Sequence, residues 1–304
     1  MNRNPSLKIL DPFAVPRPEE ERILLWVRDL SEPLDLRGAP SMVETADGKI
    51  LLSAQLAARA PWLAPLAAMV ERDLRLQLAL GRPWVALQPR LLLGPPGAGK
   101  SHWARLLARL AGCGHGALDL GGSVDSKGLE GTARSWSNFT VAWPVAICAT
   151  TRCANPILLV DELNRAGGSD RHGRAADVLL GLIEPSTAKF FPDQALQAPV
   201  DLSQCSWIFT ANSAENIPRP LLSRMSVVEV IGPGPEHADT IVDVISAELA
   251  AAWDIPVDAL PVLPERAIRI LRDVLAEHRS VRAARRLLVT AYGAIIDRPR
   301  RLNT

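Results

Sequence analysis

The sequence predicts an α/β protein, a largely parallel sheet covered by helices, followed by a small all-helical domain. Three observations predict it. Short apolar runs of strand type alternate with helical patterns between Arg90 and Ile231. One of these runs leads directly into a glycine-rich turn and an amphipathic helix. Beyond Gly232-Pro-Gly-Pro235, helical patterns succeed one another with no strand between them.

Residues 1–50 form a proline- and charge-rich N-terminal extension with one helical stretch, Glu19–Leu30. From Pro61 a helix is expected, with Leu66, Val70 and Leu74 on one face and Gly81 and Pro83 ending it. Strands are expected at Leu91–Leu93, Ala117–Leu120, Ile157–Val160, Trp207–Thr210 and Val227–Ile231. Between them, Trp103, Leu106, Leu107 and Leu110, then Ala176, Leu179, Leu180 and Ile183, keep helical spacing. The Gly-Pro-Gly-Pro stretch reads as a hinge. Helices at about Ala238–Trp253, Pro264–Glu277 and Ser280–Ile296 follow it. The expected domains are therefore the extension at 1–50, a P-loop α/β domain at 51–232 and a helical lid at 233–304.

Composition sets outer limits. The chain has 304 residues, 48% apolar and 22% charged, and its formal net charge is +1 from 34 basic and 33 acidic side chains. That balance gives no global field for a polyanion, and no basic stripe with interleaved aromatics argues for nucleic acid. No apolar run approaches the roughly 20 residues that span a bilayer. No secretory leader is legible, so a cytoplasmic location without membrane attachment is expected. Cys113, Cys148, Cys153 and Cys205 form no C-x-x-C pair and read as reduced thiols in or near the core.

The strongest chemical signal is Gly94-Pro95-Pro96-Gly97-Ala98-Gly99-Lys100-Ser101, a full G-x-x-x-x-G-K-[ST] in its proper strand–turn–helix setting. The glycines let backbone amides curl round phosphates, and the next helix offers its positive end to the same anion. Lys100 is placed to reach the β- and γ-phosphates of ATP and Ser101 to bind Mg²⁺. The second signal is Ile157-Leu-Leu-Val-Asp161-Glu162, which puts two carboxylates at the carboxyl edge of a buried strand. There Asp161 would serve Mg²⁺, and Glu162 would act as general base toward water. The third is Asn212, just past the strand Trp207–Thr210, where an amide can hold that water in line.

In this order the motifs resemble those of the AAA+ ATPases, and more narrowly the ATPase module of Lon proteases. The similar segments are Pro156–Arg165, Val178–Pro185, Thr210–Met225, Gly131–Trp136 after Leu120-Gly-Gly, and Ser280-Val-Arg282. The resemblance covers about Arg90 to Ile296. It implies strand order 5-1-4-3-2 and ATP held between the two domains and the next subunit of a homo-oligomeric ring, most simply a hexamer. It implies that Asn212 is the sensor-1 residue, Arg224 an arginine finger acting in trans, and Arg282 the sensor-2 arginine. Trp136 would grip a polypeptide substrate in the ring pore, with Gly167–Arg174 as a second pore loop. Surface ion pairing is the competing reading for Arg224 and Arg282, and core packing for Trp136. The polar neighbours Ser135, Ser137 and Asn138 favour a loop at Trp136.

Departures from the Lon pattern narrow the expected function. The loop tyrosine is Trp136, the aspartate before the finger is Ser223, and the glycine before sensor 2 is Ser280. Only about ninety residues precede the P-loop and the sequence stops at Thr304, so no peptidase activity is expected and any peptidase or adaptor would be a separate chain. Two functions fit: an ATP-driven protein remodeller or unfoldase, and an assembly switch with slow turnover.

Overall fold

The computed structural model describes residues 5–16, 21–121, 126–165 and 170–296, without the side chains of 126–127 and 170–174. The described chain divides into two compact units. Unit 1 comprises Met1–Gln55, Pro65–Leu93 and Ser101–Glu229; unit 2 comprises Leu56–Ala64, Gly94–Lys100 and Val230–Thr304.

The strands of unit 1, in chain order, are β1 (Ser6–Leu7), β2 (Leu34–Asp35), β3 (Arg90–Leu93), β4 (His115–Asp119), β5 (Ile157–Asp161), β6 (Phe191–Asp193), β7 (Ala198–Val200), β8 (Ser206–Ala211) and β9 (Ser226–Glu229). Five of them form one sheet in the order β4-β5-β8-β3-β9, and every pairing in it is parallel. Counting only those five along the chain, the order read from β9 is 5-1-4-3-2, as expected. A parallel sheet is covered on both faces, which is why its central strands are continuous apolar runs rather than alternating ones. Ile157, Leu158, Leu159 and Val160 of β5 are all fully buried, and so is every residue of β8.

The helices, in chain order, are α1 (Glu21–Ser31), α2 (Leu51–Arg59), α3 (Ala64–Ala79), α4 (Lys100–Ala111), α5 (Ser126–Glu130), α6 (Trp143–Thr151), α7 (Asp170–Ile183), α8 (Pro185–Ala188), α9 (Arg219–Leu222), α10 (Ala238–Ala252), α11 (Glu265–His278) and α12 (Val281–Ile296). The helix expected from Pro61 starts instead as a 3₁₀ turn, Pro61–Leu63, and becomes regular from Ala64.

The proline-rich N-terminal segment is built into unit 1. Its two short strands pair antiparallel, Ser6 with Asp35 and Leu7 with Leu34. Ile9, Leu10, Ile23, Leu30 and Leu34 lie in the same apolar core as Leu91, Leu158, Val160 and Phe209 of the sheet. In unit 2 the apolar residues recur every four positions, so each helix presents one ridge. Ile241, Ile245 and Leu249 of α10, Leu271 and Leu275 of α11, and Ala284, Leu288 and Tyr292 of α12 form its core. A neutral polar contact lies beside it: the Ser246 and Tyr292 hydroxyls share a 2.6 Å hydrogen bond.

Candidate active site

β5 ends at Asp161, and its neighbour β8 brings Thr210 alongside, since Val160 is in register with Phe209. On its other side β8 pairs with β3, where Leu92 is in register with Thr210. β3 leads into the glycine-rich turn and then Ser101. Three side chains from separate segments therefore meet at one strand edge. Ser101 Oγ donates to Asp161 Oδ2 at 2.7 Å, and Thr210 Oγ1 donates to Asp161 Oδ1. The Glu162 amide donates in turn to Thr210 Oγ1 at 3.3 Å. Thr210 is the residue that the sequence reading missed. Its signal is a hydroxyl near the carboxyl end of a buried strand, beyond the apolar run Trp207-Ile208-Phe209.

Glu162 turns the chain abruptly, with φ of +59°. The left-handed region costs a residue with a Cβ about 1–2 kcal/mol, so the surroundings hold this turn. The Glu162 carboxylate pairs with Arg165 Nε at 3.0 Å. Arg165 Nη1 also donates to the Gly121 carbonyl at 3.3 Å, and the Gly121 amide donates to Asp119 Oδ1 at 2.7 Å. A Cβ on Gly121 would collide with Glu162 Oε2, so the carboxylate uses space that only glycine leaves open.

Asn212 lies one residue beyond β8, and its amide donates to Asn164 Oδ1 at 3.4 Å, beside the turn that follows Glu162. Arg224 follows α9; it donates to the Pro220 carbonyl at 3.1 Å and lies 3.8 Å from Glu184 Oε2, with both side chains close to half exposed. An exposed pair at that distance contributes little to stability. Trp136 is 62% exposed at the tip of a turn. That turn is well built: the Thr132 amide donates to the Thr140 carbonyl at 2.9 Å, the Thr140 amide to Thr132 Oγ1 at 2.8 Å, and the Trp136 amide to the Ala133 carbonyl at 3.1 Å. Of the expected second pore loop, 167–169 lie outside the described residues, while 170–174 open α7.

The glycine-rich signature falls in both units, Gly94–Lys100 in unit 2 and Ser101 at the start of the next segment of unit 1. Gly97 and Gly99 adopt φ of +85° and +98°, the left-handed conformation that curls successive amides toward one side. Lys100 is buried, and its ammonium donates to the Gly94 and Pro95 carbonyls at 2.5 and 2.9 Å. Within unit 2 the turn is held from outside. The Val281 amide donates to the Gly97 carbonyl at 2.8 Å and Trp62 Nε1 to the Ala98 carbonyl at 3.1 Å. A Cβ on Gly97 would strike Ser280 Oγ and lie 3.6 Å from Arg282 Cβ. Arg282, in the first turn of α12, is thus brought beside the glycine turn although 185 positions separate it from Gly97 in sequence.

Residues 90–233 match the model of the ATPase family associated with various cellular activities (AAA). The chain carries an AAA domain. Its relatives include the mitochondrial Lon protease homologues of Kluyveromyces lactis and Saccharomyces cerevisiae. Each is 34% identical over 140 residues, 46% of this chain and 13% and 12% of the relative. The Candida glabrata homologue is 29% identical over 203 residues, 66% of this chain and 20% of the relative. The chain thus spans a fifth or less of these relatives. A closed-state reconstruction of Hsp104 with ATPγS and FITC casein shares the fold, with a TM-score of 0.62 at 17% identity over 79% of this chain and 45% of that one. The AAA domain is Lon-like in sequence. Among the described residues no helix is long and apolar enough to cross a membrane.

Proposed function

We propose that this chain binds ATP with Mg²⁺ and hydrolyses it in a ring-forming cytoplasmic assembly, most simply a hexamer, that remodels or unfolds protein. The observation that carries this is the Asp161 carboxylate, one oxygen bonded to Ser101 and the other to Thr210. Hydroxyl and carboxylate oxygens are the donors that Mg²⁺ prefers. Among the described residues no cluster of three or more His, Cys, Asp or Glu could hold a metal alone. Phosphate and water would therefore complete the shell, which is the usual state of Mg²⁺ in nucleotide sites. The left-handed Gly97 and Gly99 fit a phosphate cradle for the same reason: a Cβ there would be strained.

In this reading the amides of Gly94, Pro95–Ala98 and Gly99 surround the phosphates as far as each has an N–H to offer, and Lys100 exchanges its loop carbonyls for the β- and γ-phosphates. Glu162 takes the proton from water once its carboxylate leaves Arg165, and Asn212 holds that water in line. Arg282 supplies charge from α12, and Arg224 supplies it in trans. Residues 51–232 serve as the nucleotide domain and 233–304 as the lid. Trp136 contacts the polypeptide, and a separate peptidase or adaptor would act on what is delivered. We assign these residues the ATPase step and no peptidase step.

Phosphate release with Mg²⁺, with a chelator, and with or without an unfolded polypeptide tests the proposal. Release that needs Mg²⁺ and rises with polypeptide is expected. A chain that assembles with ATP and never responds to polypeptide would be the slow assembly switch instead.

A further inference from the structure

The turn that presents Trp136 is held by the N-terminal segment. Arg134, two residues before Trp136, donates from Nη1 to the Pro16 carbonyl at 2.6 Å, from Nε to the Ala195 carbonyl at 3.2 Å and from Nη2 to the Leu196 carbonyl at 3.5 Å. Phe139, three residues after Trp136, is gripped from the other side. Arg22 Nη2 donates to its carbonyl at 3.2 Å, and the guanidinium carbon lies 4.8 Å from the centre of its ring. The segment that supplies Pro16 and Arg22 is itself fastened at both ends. The Asp201 amide donates to the Ile9 carbonyl at 2.8 Å, and the Ala154 amide to the Asp35 carbonyl at 2.8 Å. Further along, the loop is pinned where the Ala142 amide donates to the buried Asp193 Oδ2 at 2.7 Å.

We propose that residues 5–16 and 21–36 are a positioning element that sets the shape of the Trp136 turn, with Arg22 of that element and Arg134 of the turn as the positioning residues. The inference rests on the reading of Trp136 as a polypeptide contact. An exposed indole contributes apolar contact only where its backbone is already ordered, because a mobile tip loses conformational entropy on binding. Arginine suits the task, since its planar fork can satisfy several carbonyls at once. Removing either arginine leaves the apolar core of the segment, Ile9, Leu10, Ile23 and Leu30, in place. The tip loosens and the domain stays folded.

Arg22→Ala and Arg134→Ala in the full chain test this with two readouts. Amide hydrogen exchange should accelerate roughly 10-fold at 132–140, the worth of a lost hydrogen bond to a charged group, and stay unchanged in β5. The concentration of unfolded casein that half-stimulates ATPase should rise several-fold while basal ATPase holds; Arg134→Lys should restore only part of it. Unchanged exchange at 132–140 in both variants overturns the proposal. So does faster exchange with an unaltered casein response. If the wild-type protein hydrolyses ATP and ignores casein, the polypeptide reading of Trp136 fails, and the exchange result alone decides whether the segment orders the turn.

Discussion

Ser101 and Asp161, sixty positions apart in sequence, are joined by a 2.7 Å hydrogen bond. Parallel strands cannot be joined by tight turns, so neighbours in such a sheet are far apart in the chain. The bond therefore reports that α4 and the end of β5 are assembled at one edge of the sheet, where ligands of open α/β sheets bind. Thr210 occupies the remaining oxygen of Asp161.

Thr210→Val tests that second contact. The change keeps the β-branched shape and removes the hydroxyl, so the Glu162 amide also loses its acceptor. A buried group left without its partner costs about 1–3 kcal/mol, and the domain should remain folded. ATPase should fall roughly 10-fold, with a higher Mg²⁺ requirement, because a carboxylate freed on one side is less well aimed. A Mg²⁺ titration of ATPase in both proteins measures it. An unaltered titration would leave Thr210 with a packing role only.

Lys100 and Glu162 separate binding from chemistry. Lys100→Ala removes the ammonium that now bonds to Gly94 and Pro95, and nucleotide binding should be lost. Glu162→Gln keeps the shape and loses the proposed base; ATP should bind while turnover drops by roughly 10²–10⁴. Nucleotide titration followed by single-turnover hydrolysis distinguishes the two. Wild-type turnover in Glu162→Gln would move the base elsewhere.

Arg224→Ala addresses the assembly. Among the described residues the Arg224 side chain meets its own chain at the Pro220 carbonyl and in a 3.8 Å pair with Glu184, so little local stability depends on that side chain. As a finger in trans it would be worth roughly 10³–10⁵ in rate. Mixing Arg224→Ala with Lys100→Ala chains should then restore part of the ATPase, because a mixed ring of the proposed kind would contain interfaces with an intact finger facing an intact P-loop. Absence of any recovery in assembled mixtures would assign Arg224 a role in its own subunit.

The residues legible in the sequence were those whose chemistry is written in contiguous positions. Gly94 to Ser101 and Asp161-Glu162 combine rare residue types with an adjoining strand, and the helices of unit 2 repeat their apolar residues at a regular period. Thr210 was hidden because threonine is ordinary filling in a strand; its meaning comes from register with β3 and β5. β1 and β2, two residues each, are too short to show any period. α6, Trp143-Pro-Val-Ala-Ile-Cys-Ala-Thr-Thr151, is apolar nearly all round and so has no polar face to mark it as a helix. The hairpin of β6 and β7 carries a proline in each strand, where sequence rules demote a strand.

A charged residue that heads a buried strand was equally opaque, and it supports the last prediction. Arg90 opens β3 and is fully buried, with Asp73 of α3 against it at 2.5 Å. Arg90 also donates to the Gln88 and Met69 carbonyls, each at 3.2 Å, and Asp73 Oδ2 accepts the Gln88 amide at 2.9 Å. Burial pulls the guanidinium pKa below its usual value, and the adjacent Asp73 carboxylate offsets part of that. Two opposing quantities decide the outcome of a substitution. Desolvation of two ions offsets most of their attraction, so the pair itself adds little net stability. Removing one partner leaves the other charge buried, which costs about 3–5 kcal/mol. Asp73→Ala should therefore destabilise unit 1 by about that amount, whereas replacing both, Asp73→Leu with Arg90→Met, should cost much less. Denaturant unfolding of Asp73→Ala, together with a double-mutant cycle of wild type, Asp73→Leu, Arg90→Met and the double replacement, measures the coupling. Equal losses in Asp73→Ala and in the double replacement would mean that packing around α3, not the isolated charge, sets the cost.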